Sequence, residues 1–116
     1  MSTYVKQIKS AIRIPPHDTE AEKALLGSIL LRSQSIPDIA DLIDHESFYS
    51  GKNSNIFKAI YDLYAKGEPI DLVSLSSRLK EKNILEQAGG SSYLAELMNT
   101  VPSSSNVEHY AKIIQK

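Results

Sequence analysis

The chain of 116 residues contains no cysteine. Disulfide bonds, thiolate metal sites and cysteine nucleophiles are therefore excluded, and a reducing, cytoplasmic setting fits this composition. Long apolar runs are also missing, since stretches such as Ala24–Leu26 and Ile29–Leu31 are far shorter than the roughly 20 residues needed to cross a bilayer. The first residues lack the apolar core of a signal peptide. The sequence predicts a soluble domain with a single core.

A dominant charge of one sign is absent as well, because 13 basic residues face 14 acidic ones and the net charge is −1. Protein surfaces that bind a nucleic-acid phosphate backbone carry clusters of lysine and arginine. This chain has only three arginines. The balance is uneven, since Lys6, Lys9 and Arg13 come before the first acidic residue. We interpret residues 1–16 as a basic, flexible N-terminal arm that is separate from a helical domain at 17–116.

The arm carries apolar side chains that are candidates for contact with a partner or a neighbouring subunit: Tyr4, Val5 and Ile8. The plainer interpretation is a solvated tail, which is the usual behaviour of chain termini. The sequence does not decide between these two interpretations.

Apolar residues recur at helical spacing from Thr19 to the end of the chain, and no segment alternates with period two. The pattern predicts an all-α fold, a compact orthogonal bundle of about six short helices with no sheet. The first helix is predicted from Thr19 to about Arg32, and its start is either a capping box of Thr19 with Glu22 or a cap at Asp18. Apolar stripes predict the others near Ile36–Ile43, Ile56–Tyr64, Leu72–Leu79, Tyr93–Met98 and Val107–Ile114.

Turn-forming residues separate these stripes. Asp71 is predicted to cap the fourth helix, and Gly67 and Asn83 are predicted to end helices in the left-handed conformation. Ser103 or Ser104 is predicted to cap the last helix. That helix keeps its periodic register to Ile114 without a closing glycine or proline, which predicts that it is truncated.

Catalytic motifs are absent from the sequence. A phosphate-binding loop needs a first glycine and then Gly-Lys-Ser or Gly-Lys-Thr, but the pair Gly51-Lys52 has Glu46 in the first position and Asn53 in the last. His45-Glu46 begins like a zinc-protease motif, and Tyr49 stands where the second ligand should be. We therefore predict no catalytic, cofactor-binding or metal-binding residue. A small enzyme would need a convergent site that no motif indicates.

Two pairs of carboxylates and one glycine-rich turn have ordinary structural explanations. Glu20 with Glu22 and Asp41 with Asp44 lie at predicted helix ends, so we expect solvated faces that favour the helix dipole. The turn at 89–92 could bind an anion, but a helix entrance explains it better.

Five phrases occur in a fixed order along the chain: Pro16-His17-Asp18-Thr19-Glu20-Ala21-Glu22, Leu25-Leu26-Gly27, Pro69-Ile70-Asp71-Leu72-Val73-Ser74-Leu75, Gly89-Gly90-Ser91-Ser92-Tyr93-Leu94-Ala95-Glu96-Leu97, and Val101-Pro102-Ser103 with Asn106 and Tyr110. Together they resemble the N-terminal domain of the bacterial replicative DNA helicase of the DnaB type, from about Pro15 to the end. Their joint order makes the resemblance specific, because each phrase alone is short.

The resemblance implies a non-catalytic domain of a hexameric helicase. In that family this domain leads into a helical hairpin, a linker and a RecA-like motor domain, where ATP and magnesium are expected. The family's N-terminal domains pair to form a collar on the hexamer, and they engage primase and, in some species, a helicase loader. DNA would be contacted mainly by the rest of the parent protein.

Self-association candidates lie on the last helix, at Tyr110, Ile113 and Ile114, although packing within the monomer is an equally good explanation of this stripe. The alternative function is a helix-turn-helix DNA-binding domain, in which the helix beginning Lys52-Asn53-Ser54-Asn55, with Lys58 behind it, would place amide and ammonium groups against base edges. The balanced charge and Glu46, nearby, argue against DNA binding.

Overall fold

The computed structural model describes residues 18–101 and 106–115. Within these two ranges the chain forms six α-helices and no strand, which confirms the all-α prediction. The predictions for the arm, including Tyr4, Val5 and Ile8, and for Ser103 and Ser104 fall outside the described residues. The helices are α1 Thr19–Leu31, α2 Ile36–Ile39, α3 Gly51–Ala65, α4 Leu72–Glu81, α5 Gly90–Thr100 and α6 Val107–Gln115.

Helix α1 is the centre of the bundle, and it packs against α3, α5 and α6. Nearly every residue from Ala21 to Leu30 is buried. A helix that is buried almost all round lies inside a bundle rather than on its surface. Its start is the cap at Asp18, whose carboxylate accepts a hydrogen bond from the amide of Ala21 at 3.0 Å. The alternative capping box of Thr19 with Glu22 does not form, because Glu22 turns inward.

Helices α3 and α4 pack against each other. Both end close to the turn residues that were predicted to end them. The carboxylate of Asp71 accepts from the amide of Ser74 at 2.8 Å and so caps α4. Gly67 after α3 and Asn83 after α4 have positive φ angles of 69° and 59°. Left-handed residues at these positions turn the chain back and satisfy the last carbonyls of each helix.

One arginine of α4 ties the α3–α4 pair together. The Arg78 guanidinium donates to Asp62 of α3, to Glu68 in the turn at 2.5 Å and to Glu81 of its own helix at 3.2 Å. The positive charge of the guanidinium offsets the repulsion among the three carboxylates around it. This ion-pair cluster connects α3, the turn that follows it and α4.

The segment between α1 and α3 is less helical than its apolar spacing predicts. Only Ile36–Ile39 is α-helix, after a 3₁₀ turn at Ser33–Ser35, and a second 3₁₀ turn follows at His45–Ser47. The isoleucines at 36, 39 and 43 are nevertheless buried as predicted. Of the neighbouring aromatic residues in this segment, Phe48 is buried, whereas Tyr49 is exposed. Short connections can therefore bury an apolar stripe without a continuous helix.

Helix α6 begins at Val107, and the structure shows Asn106 as its side-chain cap. The Asn106 carbonyl oxygen Oδ1 accepts a hydrogen bond from the amide of His109 at 3.1 Å. The helix packs on α1 and α2 through Ala111 and Ile114, and the latter belongs to the central core.

Candidate protein-interaction surface

In the ranges 18–101 and 106–115 no group of three or more histidine, aspartate or glutamate side chains could hold a metal ion. In the same part of the chain, no helix combines the length and the apolar character that a membrane span requires.

Glu22 is a buried carboxylate, with 1% of its surface exposed. Its two oxygens accept hydrogen bonds from the amide of Tyr49 at 2.7 Å, the amide of Ser50 at 3.3 Å and the Asn53 side-chain amide at 2.9 Å. The prediction that Glu22 lies on a solvated face is therefore wrong. A buried charge is tolerated when its lone pairs are satisfied, and these three donors achieve that. The carboxylate joins α1 to the loop that leads into α3.

The network continues from Glu22 to the outer surface of α5. Asn53 is also 1% exposed, and its Oδ1 accepts a hydrogen bond from the hydroxyl of Tyr93 at 2.6 Å. Partial burial raises the pKa of the Tyr93 hydroxyl above its usual value. The ammonium of Lys52 lies 3.9 Å from the centre of the Tyr93 ring, a cation–π contact on the rim of the network. One chain of hydrogen bonds thus links α1, α3 and α5.

This network removes one side chain from the helix-turn-helix alternative. That alternative places the amides and ammonium groups of the helix from Lys52 to Asn55 against base edges, but both ends of the Asn53 amide are used inside the protein. Lys52 and Lys58 remain exposed on α3. The alternative therefore loses one of its candidate base contacts.

An ion pair between Lys23 and Glu96 joins α1 to α5 at 2.6 Å beside Tyr93. The hydrogen bond from Lys23 lowers the pKa of the Glu96 carboxyl, and the same bond raises the pKa of Lys23. Because the pKa of this carboxyl is lower in the folded chain than in the unfolded chain, its ionised form stabilises the fold. This stabilisation is complete at pH values above the unfolded-state pKa and is lost as the pH falls through the folded-state pKa. The ion pair therefore stabilises the α1–α5 contact at neutral pH.

We expect Glu96→Gln to lower the urea midpoint of unfolding at neutral pH by a small amount, because the pair is partly exposed. The difference from the parent should vanish at a pH well below the ordinary glutamate pKa, where Glu96 of the parent is protonated. Urea titrations at the two pH values check this, with Glu86→Gln as a matched exposed control. A difference that persists unchanged in acid would contradict the ion-pair explanation.

A row of aromatic rings crosses α3 towards the surface. Ring centres are 5.2 Å apart for Phe48 and Phe57, 6.3 Å for Phe57 and Tyr61, and 5.7 Å for Tyr61 and Tyr64. Tyr61 is 43% exposed, and Tyr64 is also exposed. Tyr64 was predicted to belong to the inner stripe of its helix, and the structure places it at the edge of that stripe instead. Exposed tyrosines are common at protein interfaces because they combine a large apolar ring with a polar tip.

A cleft of about 310 Å³ lies between this row and the segment that follows α2. We call it the aromatic cleft. Its apolar lining comes from Ala40, Ile43, Phe57 and Tyr61, and its polar lining comes from Asp44, His45 and Lys58. A mainly apolar cleft with a charged rim is suited to a protein segment with apolar anchors.

The self-association candidates on α6 divide into two kinds. Ile114 is 7% exposed and is part of the core, which favours the alternative explanation, packing within the monomer, for this residue. Tyr110 is half-buried against the core, with its ring 5.6 Å from that of His109. Ile113 is 37% exposed and remains available to a partner. The structure thus leaves Ile113, with the edge of Tyr110, as the outward part of the predicted face.

The Glu22 network was missed by reasoning from the sequence, although a signal was present. Glu22 stands three and four residues before Leu25 and Leu26, and these two leucines are fully buried. Positions separated by three and four residues share a helix face, so a glutamate at this position has to enter the interior. Because Glu22 lies in the first turn of α1, the sequence favoured an interaction with the helix dipole. That local interaction did not predict that the side chain is buried.

The fold and its surfaces define a small helical domain whose exposed features suit binding to other proteins. Comparison with known proteins then gives the family: residues 14–116 match the DnaB-like helicase N-terminal domain. This chain belongs to that family.

Relatives and solved structures agree with this family assignment. Replicative DNA helicase DnaC of Bacillus subtilis is 38% identical over 104 residues, which are 90% of this chain and 23% of that protein. The solved N-terminal domain of DnaB helicase from Mycobacterium tuberculosis is 37% identical, with a TM-score of 0.83, over 88% of this chain and 71% of that one. A solved DnaB-like replicative helicase, described with its interactions with primase, is 34% identical, with a TM-score of 0.74, over 84% of this chain and 23% of that one. The chain spans about a quarter of the length of the Bacillus subtilis helicase.

Proposed function

We propose that this chain acts in DNA replication as the non-catalytic N-terminal domain of a replicative helicase, where it associates with copies of itself and recruits primase. The observation that carries the proposal is the match in fold and sequence over 88% of the chain to a solved DnaB N-terminal domain. ATP and magnesium would bind in the motor domain of the parent helicase. A helicase loader is a further partner of this domain.

Primase recruitment is supported by the 34% identical structure, which is described with its primase interactions. We expect the chain, labelled at one site, to bind purified bacterial primase in a fluorescence titration. Labelled duplex and single-stranded DNA at low salt serve as the comparison. No binding to primase up to about 100 µM, the equivalent of roughly −5.5 kcal/mol, would contradict recruitment. Tight and strongly salt-dependent DNA binding would favour the alternative function instead.

Self-association is proposed through the outward part of α6, at Ile113 and the edge of Tyr110. An exposed isoleucine beside an aromatic ring stabilises an interface when a partner covers it. We expect Ile113→Glu to weaken self-association by at least about tenfold, the equivalent of roughly 1.4 kcal/mol, in sedimentation equilibrium.

The matched control is Val73→Glu, because Val73 is 76% exposed and lies on α4 rather than α6. Both variants should keep the helical circular dichroism of the parent, since both side chains are largely outside the core. An unchanged association constant for Ile113→Glu, or equal weakening by Val73→Glu, would contradict the role of α6.

A further inference from the structure

Helix α4 is attached to the outside of the bundle. Helices α3, α5 and α6 pack against the central helix α1, whereas α4 makes its main contacts with α3 and α5. The buried side chains of α4 are Leu75 and Leu79. Helices α5 and α6 also bury few side chains, but both of them pack directly on α1. An element with few buried apolar contacts at the edge of a domain opens at a lower free energy than the core does.

A turn with a left-handed residue lies on each side of α4. Gly67 precedes the helix with a φ angle of 69°, and Asn83 follows it with a φ angle of 59°. On the far side of each turn the chain is buried in the core, at Leu63 and at Ala88. When a packed element moves, a few residues in the turns at its ends absorb the change in φ and ψ. Helix α4 therefore lies between two positions at which it can turn without displacing the core.

Charge holds α4 in place through one residue. Between described residues, every ion pair that joins α4 to another element involves Arg78, whose side chain is 11% exposed. Its partners outside α4 are Asp62 of α3 and Glu68 of the turn. Without Arg78, these two carboxylates would face Glu81 of α4, and Lys66, 3.7 Å from Asp62, would be the remaining cation of the group. Removal of one positive charge would therefore turn attraction between α3 and α4 into repulsion.

We propose that α4 opens and closes as a unit on the rest of the domain, and that the charge of Arg78 sets the balance between the two states. In the closed state Leu75 and Leu79 are fully covered. Opening turns α4 at Gly67 and Asn83 and exposes both leucines, while α1, α3 and α5 stay packed. The fold thus contains an apolar surface that is accessible only in the open state. Salt favours this state, because dissolved ions screen the partly exposed partners of Arg78.

Native-state hydrogen exchange of the full chain, followed by mass spectrometry of its peptides, measures this opening. In the parent, amides of α4 should exchange at least about tenfold faster than those of α1, each relative to its intrinsic rate, because a partial opening requires less free energy than complete unfolding. Arg78→Met keeps a long apolar side chain and removes the charge. We expect it to raise exchange in α4 by about tenfold, because several ion pairs are lost together.

Lys80→Met is the matched control, because Lys80 is an exposed cation in the same last turn of α4. It should leave exchange in α4 within about twofold of the parent, as for most surface substitutions. A second variant, Ile114→Val, distinguishes local opening from complete unfolding. Ile114 belongs to the core and lies on α6, which packs on α1 and stays folded when α4 opens. The variant should raise exchange in α1 by about threefold or more and leave α4 unchanged.

Salt at about 1 M should raise exchange in α4 of the parent towards that of Arg78→Met, and it should change the variant little. Equal protection of α4 and α1 in the parent would overturn the separate opening of α4. A rise in α4 exchange as large as that in α1 with Ile114→Val would overturn it as well. Equal effects of Arg78→Met and Lys80→Met, or exchange in α4 that does not depend on salt, would overturn the role of Arg78.

Discussion

Replacing Glu22 by alanine is expected to lower the free energy of unfolding by about 3–5 kcal/mol, because buried donors lose their acceptor and each costs about 1–3 kcal/mol. The amides of Tyr49 and Ser50 and the side chain of Asn53 would be left without this carboxylate. For a domain of this size the loss corresponds to a decrease of roughly 2–4 M in the urea midpoint. Urea unfolding followed by circular dichroism at neutral pH measures it.

Glu20→Ala is the matched control for this experiment. Glu20 is two residues earlier in the same first turn, but its side chain is 77% exposed. We expect a change within about 0.5 kcal/mol, as for most surface substitutions. Glu22→Gln should fall between the two, because an amide keeps one acceptor but turns its NH₂ group towards a donor.

The network also predicts that the effects of two substitutions are not additive. Once Glu22 is alanine, Asn53→Ala should cost less than it does in the parent, because its partner is already gone. Strictly additive losses for the two substitutions, or a Glu22→Ala variant as stable as Glu20→Ala, would contradict the network as described.

Gly27→Ala is expected to destabilise the protein by a net amount of about 1–3 kcal/mol, because the added methyl group has no space. A Cβ atom at Gly27 would lie 2.2 Å from the Leu97 carbonyl oxygen and 2.5 Å from Val101 Cγ2. Helices α1 and α5 cross here at backbone contact, so they must separate to admit the methyl group. The loss exceeds the gain in helix propensity, which is about 1 kcal/mol for alanine over glycine.

Gly51→Ala is the matched control, since a Cβ atom at Gly51 meets nothing within 4 Å. Gly51 is the first residue of α3, and alanine there should be neutral or stabilising by up to about 1 kcal/mol. Thermal unfolding distinguishes the two substitutions, because 1 kcal/mol shifts the midpoint by about 4 °C in a domain of this size. Equal midpoints for the two variants would show that α1 and α5 do not approach each other as closely as the structure indicates.

The sequence predicted the helices well because helix caps, turn residues and apolar stripes depend only on residues nearby in the chain. The cap at Asp71, the left-handed Gly67 and Asn83, and the apolar stripes of α3 and α4 depend on neighbours within one or two turns. The segment after α1 was less predictable, since the apolar spacing from Ile36 to Ile43 fits both one helix and a series of turns. The surrounding core selects the turns.

Contacts between distant residues could not be derived from periodicity. Glu22 and Asn53 are 31 positions apart, and Asn53 and Tyr93 are 40 apart. The sequence around each of these residues does not show that its side chain is hydrogen-bonded inside the protein. This becomes visible only when the fold brings the residues together. The same holds for Ile113 and Ile114, which are adjacent in sequence but face outward and inward, respectively.

The sequence by itself determined the helical class, the positions of the turns, the lack of catalytic motifs and the resemblance to the helicase family. These properties follow from residue types and their spacing along the chain. The tertiary structure alone decided that α1 is central, that Glu22 and Asn53 are buried partners, and that Tyr61 of α3 lines a cleft. The reason is physical: burial and hydrogen-bond partnership depend on which helices pack together, and packing is a property of the whole fold.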